Sequence, residues 1–459
     1  MIEEFEYKGI WWLPDKSEEK ISGTFKFTPN EGAVLELIGS FKDITGMNKM
    51  LKPEIILGIS SDGKNITLHK CFETKSNLSF PGLLTSSFYA NRAFVGAHFQ
   101  KTKDIKFKSL SVHYLYLDEW FNVSGFDIQH LFDEKEVVIR YKLPEPTQAA
   151  IDDYKIFLDV RATGPTHSIV QKEASIKQRM YIRIEPSGEK SFDEYLSIMY
   201  RIQNFLSLGI TEPVYPLVIE GITEVNKVMI DDKTYNPPVK VYYRVSDIPM
   251  APKTLLPFDM LFTFKDISDR FEDFLKNWFK KTDLLEPVYN LYFGTLYNPR
   301  MYLEHRFLSL VQAIESYHRR TMKNFELSEE EHEKRIMEIL NAVPHGHKKW
   351  LRNKLAYSNE PNLRRRLKEI LEKFADVLDK FIPKKDSFIN KVVTTRNYLT
   401  HYDEKLKEQS AEGEELYRLT QKLKILLEIC LLKELGFTSD NIKSLISRNR
   451  RYQHEIPVA

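Results

Sequence analysis

The hydrophobic period of this chain changes once, and that change constrains its fold more than any other feature. Over roughly the first 185 residues, short runs rich in β-branched and aromatic side chains recur at 23–27, 33–38, 54–59, 111–117, 136–141 and 180–184. Turn signals such as Pro29-Asn30 and Asp62-Gly63 separate them, which is the pattern of regular short strands in a sandwich or open barrel. Beyond about Ile267 the apolar residues instead recur every three or four positions, the pattern of amphipathic helices. One chain thus carries two kinds of core.

Between these regimes the pattern is mixed. Ser191 and Glu194 form a capping box that opens a helical run through Tyr195, Ile198, Met199, Ile202 and Phe205, and strand-like pieces follow at 216–219 and 239–244. The later periodicity predicts helices over 267–281, 298–322, 328–341, 362–381, 385–400 and 412–435. A second capping box at Ser328 and Glu331 and a stop at Gly436 mark their ends. With 459 residues the chain exceeds what one core usually holds. The expected fold is a multidomain α+β protein: a β-rich, sandwich-like N-terminal domain over 1–185, a mixed connecting region over 186–295 and an all-α bundle over 296–459.

Composition removes several function classes. The two cysteines, Cys71 and Cys430, exclude a disulfide framework and a cysteine-based zinc site. The acidic start lacks the basic and apolar regions of a signal peptide, and no run of about 18 apolar residues suggests a membrane span, so a soluble cytoplasmic protein is expected. No phosphate-binding glycine loop, His-Glu-x-x-His or Gly-x-Ser-x-Gly element is present, and neither a metal nor a cofactor is expected. His345-Gly346-His347 could edge a metal site but has no further ligands near it in sequence, so it reads as a turn between two helices with a structural or solvated histidine pair. Charge is almost balanced overall, yet residues 301–459 hold 30 Lys and Arg against 24 Asp and Glu, so any contact with a polyanion is expected there.

Within that third, Arg396-Asn397-Tyr-Leu-Thr-His401 is the strongest candidate for chemistry. Spacing alone does not single it out, because Arg92/His98, Arg161/His167 and Arg300/His305 are similarly spaced. Helical geometry does. With about 100° per residue, Arg396 falls near the middle of the apolar stripe made by Phe388, Ile389, Val392, Val393 and Leu399. An arginine in an apolar seam is neutralised by a carboxylate or held for a function. The helix near 298–322 offers the partner: Glu315 lies at the edge of its stripe of Leu303, Phe307, Leu310, Val311 and Ile314, and His318 lies on it as a core histidine. One condition follows. Residues five apart on a regular helix point about 140° apart, so Arg396 and His401 converge only if the helix ends near Leu399–Thr400 or if two chains share the site.

Together with the preceding helix 307–320, this element resembles the HEPN superfamily, and more specifically the ApeA-type HEPN proteins of bacterial anti-phage defence. Their N-terminal domain is similar to the opening Tyr7-Lys-Gly-Ile-Trp-Trp-Leu-Pro14 followed by residues 22–27. The resemblance covers nearly the whole chain apart from about 190–290. It implies a C-terminal helical HEPN bundle that is a metal-independent endoribonuclease, usually dimeric or a higher homo-oligomer, with a polar residue after the motif arginine, a place Asn397 takes. Arg396, Asn397, His401 and Glu315 are the expected site residues, and the N-terminal domain is expected to sense a phage-derived trigger or restrain the nuclease. RNA cleavage without a metal needs a proton shuttle for the 2′-hydroxyl and the leaving 5′-oxygen, and a fixed cation on the phosphate. Histidine and arginine supply these, and the 2′-hydroxyl makes RNA the substrate. Such nucleases often attack cellular tRNA, although nothing in this sequence selects it. Grip is expected from Lys348, Lys349, Arg352, Lys354, Arg364, Arg365 and Arg366, interleaved with Trp350 and Tyr357 for stacking on bases. Two rivals stand: a non-catalytic HEPN module that binds RNA or dimerises, and a ligand-binding β-sandwich, displaying Trp11 and Trp12, with a helical oligomerisation tail.

Overall fold

The computed structural model describes residues 4–42, 50–78, 81–245, 248, 252–379 and 381–455, and the chain divides into two compact units. The first comprises residues up to 206 with 214–257 and 263–272; the second comprises 207–213, 258–262 and 273 onward.

The first unit begins as six strands: β1 (Phe5–Trp12), β2 (Ile21–Thr28), β3 (Gly32–Ile38), β4 (Ile55–Ser60), β5 (Asn65–Leu78) and β6 (Leu84–Val95). They pair antiparallel in the order β6-β3-β2-β1-β4-β5, and β5 pairs back onto β6, so of the sandwich and the open barrel expected from the sequence the strands form a barrel, here closed. Alternation turns one face of each strand into a common core. Phe25 and Phe27, Leu35 and Leu37, Ile66 and Leu68, and Phe88 and Ala90 all point inward into one core with Trp11. Gly58 is glycine for a steric reason: a Cβ there would lie 2.1 Å from the Trp11 ring. Trp11 is fully buried, and Trp12 is buried on the opposite face with Ile55 and Leu57, so the two tryptophans form no exposed binding face.

From β6 the sheet continues through strands Val239–Tyr243, Pro216–Ile222, Ser109–Tyr114, Glu173–Pro186, Tyr154–Ser168 and Thr147–Ile151, in that spatial order. This unit also holds α1 (Leu117–Phe121) and most of α2 (Phe192–Ile210), the latter opened by Ser191, whose amide donates to Glu194 at 2.9 Å. The stretch 186–295, expected as a separate connecting region, is divided. Its strands Pro216–Ile222 and Val239–Tyr243 join this sheet, Val228–Ile230 and Lys233–Tyr235 pair only with each other, and most of its long helix belongs to the second unit.

The second unit is helical: α3 (Phe271–Tyr297), α4 (Leu303–Thr321), α5 (Glu329–Asn341), α6 (His345–Lys354), α7 (Leu363–Lys373), α8 (Ala375–Leu378), α9 (Lys385–His401), α10 (Glu404–Lys407), α11 (Gly413–Leu435), α12 (Ser439–Arg448) and α13 (Arg450–Glu455). α3 runs beyond the expected end at 281 and through Pro287. Proline forfeits one backbone bond there, but Leu285, Val288, Tyr289, Tyr292 and Phe293 keep the helix buried, at about 1.5–3 kcal/mol for each large side chain. The expected helix 362–381 breaks at Phe374 into α7 and α8. α11, buried on most of its surface and stopped by Gly436 in the left-handed region, lies along α4. α7 and α9 pack on each other and on α4, and this three-helix face carries the candidate site.

Candidate active site

α9 is held by Phe388, Ile389, Val392 and Thr395, the residues of its buried face. Thr395 is fully buried, and its hydroxyl accepts the Ala411 amide at 2.9 Å, fixing the segment beyond the helix against it. The helix does not end at Leu399–Thr400. It continues through His401 and stops only at Tyr402, which turns into the left-handed region (φ 52°) and returns its amide to Tyr398 at 2.6 Å.

Arg396 is therefore placed differently from expectation. Thr395 occupies the buried position, and Arg396 stands at the shoulder of the face with 34% of its side chain exposed. Its guanidinium lies 3.7 Å from Glu315 of α4 and donates to Asn397 Oδ1 at 3.1 Å. Three of the four expected site residues thus meet within one chain. His401 does not join them: it is exposed, and an unbroken helix turns it about 140° away from Arg396. Of the two ways the pair can converge, only completion by a second chain remains open. Among the described residues no group of three or more His, Cys, Asp or Glu side chains is arranged to hold a metal.

Beside this pair lies a network that sequence reasoning missed. His318 is fully buried, with Nε2 2.7 Å from Glu369 and Nδ1 3.0 Å from Arg366. Burial pushes its pKa down, with the Arg366 guanidinium adding to the effect and the hydrogen bond to Glu369 opposing it. Arg366 is only 2% exposed and reaches Glu360 at 3.5 Å, which in turn binds Arg319 at 2.6 Å. Arg366 is thus interior, not part of an RNA-gripping surface as its place in the Arg364–Arg366 run suggests. The signal was present. Leu363, Arg366, Leu367, Ile370 and Leu371 follow helical spacing, so Arg366 belongs to the apolar face of α7.

The remaining basic residues divide by surroundings. Arg365 is exposed but ion-paired with both Glu326 and Glu369 at 2.8 Å, and Arg364 donates to Asn390 of α9. Lys349, Arg352 and Lys354 are exposed on α6, Lys348 is half-buried, and Trp350 and Tyr357 are 61% and 79% exposed beside them. His345 and His347 open α6 as exposed residues instead of forming a turn.

Residues 6–278 match the family profile for ApeA N-terminal domain 1, and residues 308–441 match the profile for the Apea-like HEPN domain. The second match spans α4, α7 and α9, the helices that carry Glu315, His318, Arg366 and Arg396. No curated protein and no solved structure matches the chain. No helix among the described residues is long and apolar enough to cross a membrane.

Proposed function

Since the chain belongs to the ApeA-type HEPN proteins, HEPN-based proteins of anti-phage defence, we propose that it is a metal-independent endoribonuclease whose active site is completed by a second copy. The observation that carries this reading is the unbroken α9. It presents a carboxylate-anchored Arg396 at one azimuth and an exposed His401 at another, so Arg396 of one copy and His401 of the other can flank one phosphate. In the step, the 2′-oxygen attacks phosphorus while the bond to the 5′-oxygen breaks, leaving a 2′,3′-cyclic phosphate and a 5′-hydroxyl. The His401 imidazole moves a proton at the 2′-hydroxyl or the leaving 5′-oxygen. The Arg396 guanidinium, aimed by Glu315 and Asn397, meets the charge that grows on the phosphate oxygens. The α6 cations and Trp350 hold the strand, and the β-rich unit is the sensor of a phage-derived trigger or a restraint on the nuclease. Cellular tRNA is one candidate substrate.

The test is complementation. Arg396→Ala and His401→Ala are each expected to be inactive on RNA in EDTA. Mixed and allowed to exchange subunits, they regain about a quarter of wild-type activity, because half the dimers are mixed and one of their two symmetric sites is intact. No regain in verified mixed dimers overturns the shared site, and cutting by both single variants at the wild-type rate overturns the assignment of the activity to Arg396 and His401. The 3.7 Å contact of Arg396 with Glu315 also supports the rival, a non-catalytic RNA-binding module in which that ion pair is structural. That module binds RNA and yields no cyclic phosphate.

A further inference from the structure

The proposed mechanism uses Glu315 and Arg396 but leaves the buried network beside them without a task. Glu315 and His318 are three residues apart on α4 and share one face of it. α9 lays Arg396 against Glu315, and α7 lays Arg366 against His318, so two guanidiniums from two helices stand on neighbouring turns of a third. Glu315 is also among the carboxylates whose field acts on Arg366.

The chemistry of this contact fixes its protons. A guanidinium can only donate, so His318 Nδ1 accepts from Arg366 at 3.0 Å. The neutral ring then carries its proton on Nε2 and donates it to Glu369 at 2.7 Å. Glu369 is braced by Arg365 at 2.8 Å, and Arg366 is braced from its other side by Glu360. Desolvating such ions is costly, and apolar side chains of like volume often serve stability as well or better. Stability alone is therefore a poor reason for placing an arginine on the apolar stripe of α7.

We propose that Arg366 is a positioning residue for the Arg396 site: clamped between His318 and Glu360, it locks α7 onto α4 and holds Glu315 in the orientation that aims Arg396. The proposal rests on the reading of Arg396 as the active guanidinium. It differs from a packing role in one respect: the donor–acceptor pattern at position 318 matters, and an imidazole does not. Glutamine there can accept from Arg366 through its carbonyl oxygen and donate to Glu369 through its amide; leucine can do neither.

The experiment measures kcat and KM for cleavage of an end-labelled single-stranded RNA by the full chain in EDTA, with a thermal melt on every variant. Arg366→Lys and His318→Leu are expected to lower kcat about 10- to 100-fold, the range for a reacting group displaced by about 1 Å, with KM within about twofold. His318→Gln is expected to recover kcat to within about threefold of wild type. Should His318→Leu or Arg366→Lys fail to fold, Glu360→Gln, which frees Arg366 on its outer side, is expected to lower kcat measurably with KM unchanged. The proposal is overturned by an Arg366→Lys protein as fast as wild type beside an inactive Arg396→Ala, by a His318→Gln protein as slow as His318→Leu, or by a fully active Glu360→Gln where that variant carries the test. An Arg396→Ala protein that cuts like wild type instead sinks the parent reading and this proposal with it, a pattern none of the other outcomes reproduces.

Discussion

The α4–α7–α9 face and the α5–α6 pair are neighbours in sequence, and they handle charge in opposite ways. On the face, His318 and Arg366 are buried, Glu315, Glu360 and Glu369 are partly covered, and each charge has a specific partner at 2.7–3.7 Å. In α5 and α6 only Leu340 is buried, and the exposed cations of α6 form no ion pair with the acids of α5 among the described residues. A charge removed from water and fixed by partners can act on one bond geometry, because nothing must reorganise when charge develops. A solvated charge acts at longer range and in any geometry, is screened by salt, and suits a polyanion whose backbone repeats. On the proposed function, aim belongs to the first region and grip to the second.

The largest effect that tests this division is expected at Arg396. Arg396→Lys keeps the charge but loses the planar fork that meets Glu315 and Asn397 and, on the proposed function, a phosphate as well. A loss of about 100-fold in kcat is expected, with KM and the melting temperature near wild type, since the side chain is already one-third exposed. A lysine variant with unaltered kcat and a raised KM would move Arg396 from aim to grip and erase the contrast.

The reverse pattern is expected for α6. Replacing Lys348, Lys349, Arg352 and Lys354 together by Glu should weaken RNA binding about 10- to 100-fold near physiological salt. It should also make the salt dependence shallower by about 0.7 for each single-strand phosphate that α6 no longer neutralises. kcat at saturating RNA should stay within about threefold of wild type. Fluorescence anisotropy across a salt series reads the first two effects, and initial rates read the third. An unchanged salt slope would remove α6 from the RNA path and leave Arg364 as the remaining solvent-facing arginine of the expected patch that no carboxylate pairs among the described residues.

What was legible in the sequence follows the same line between local and non-local causes. The change of period located the β-rich and helical regions, and Ser191, Ser328 and Gly436 marked element ends, because caps and stops act over one turn. Barrel closure through β5 and β6 depends on pairing between strands, which periodicity within each strand does not report. The extension of α3 through Pro287 is tertiary: burial outweighs a local penalty. At the site, Glu315 beside Arg396 was readable from two helical stripes. The burial of Arg366 was equally readable from α7, but the basic run around it suggested a solvated face. That His401 stays on the helix hinges on one backbone residue, Tyr402, and left-handed φ at tyrosine has no local sequence signature.

The smallest effect concerns how the two regions are held, and a pair of matched substitutions isolates it. The Thr395 hydroxyl is fully buried and accepts the Ala411 amide at 2.9 Å, so Thr395→Val keeps the shape of the side chain and leaves that amide without its partner. The expected cost is about 1–3 kcal/mol, the range for an unsatisfied buried donor. Ser358, beyond the end of α6, is exposed and donates to the Leu355 carbonyl at 2.7 Å; there water replaces what Ser358→Ala removes, and the expected change is within about 0.5 kcal/mol. Urea denaturation of both variants gives the two numbers. Similar costs at both positions would mean that the α9 face is no better excluded from water than the α6 surface. Arg396 would then act without the preorganised setting that separates aim from grip, even if the residue proved essential.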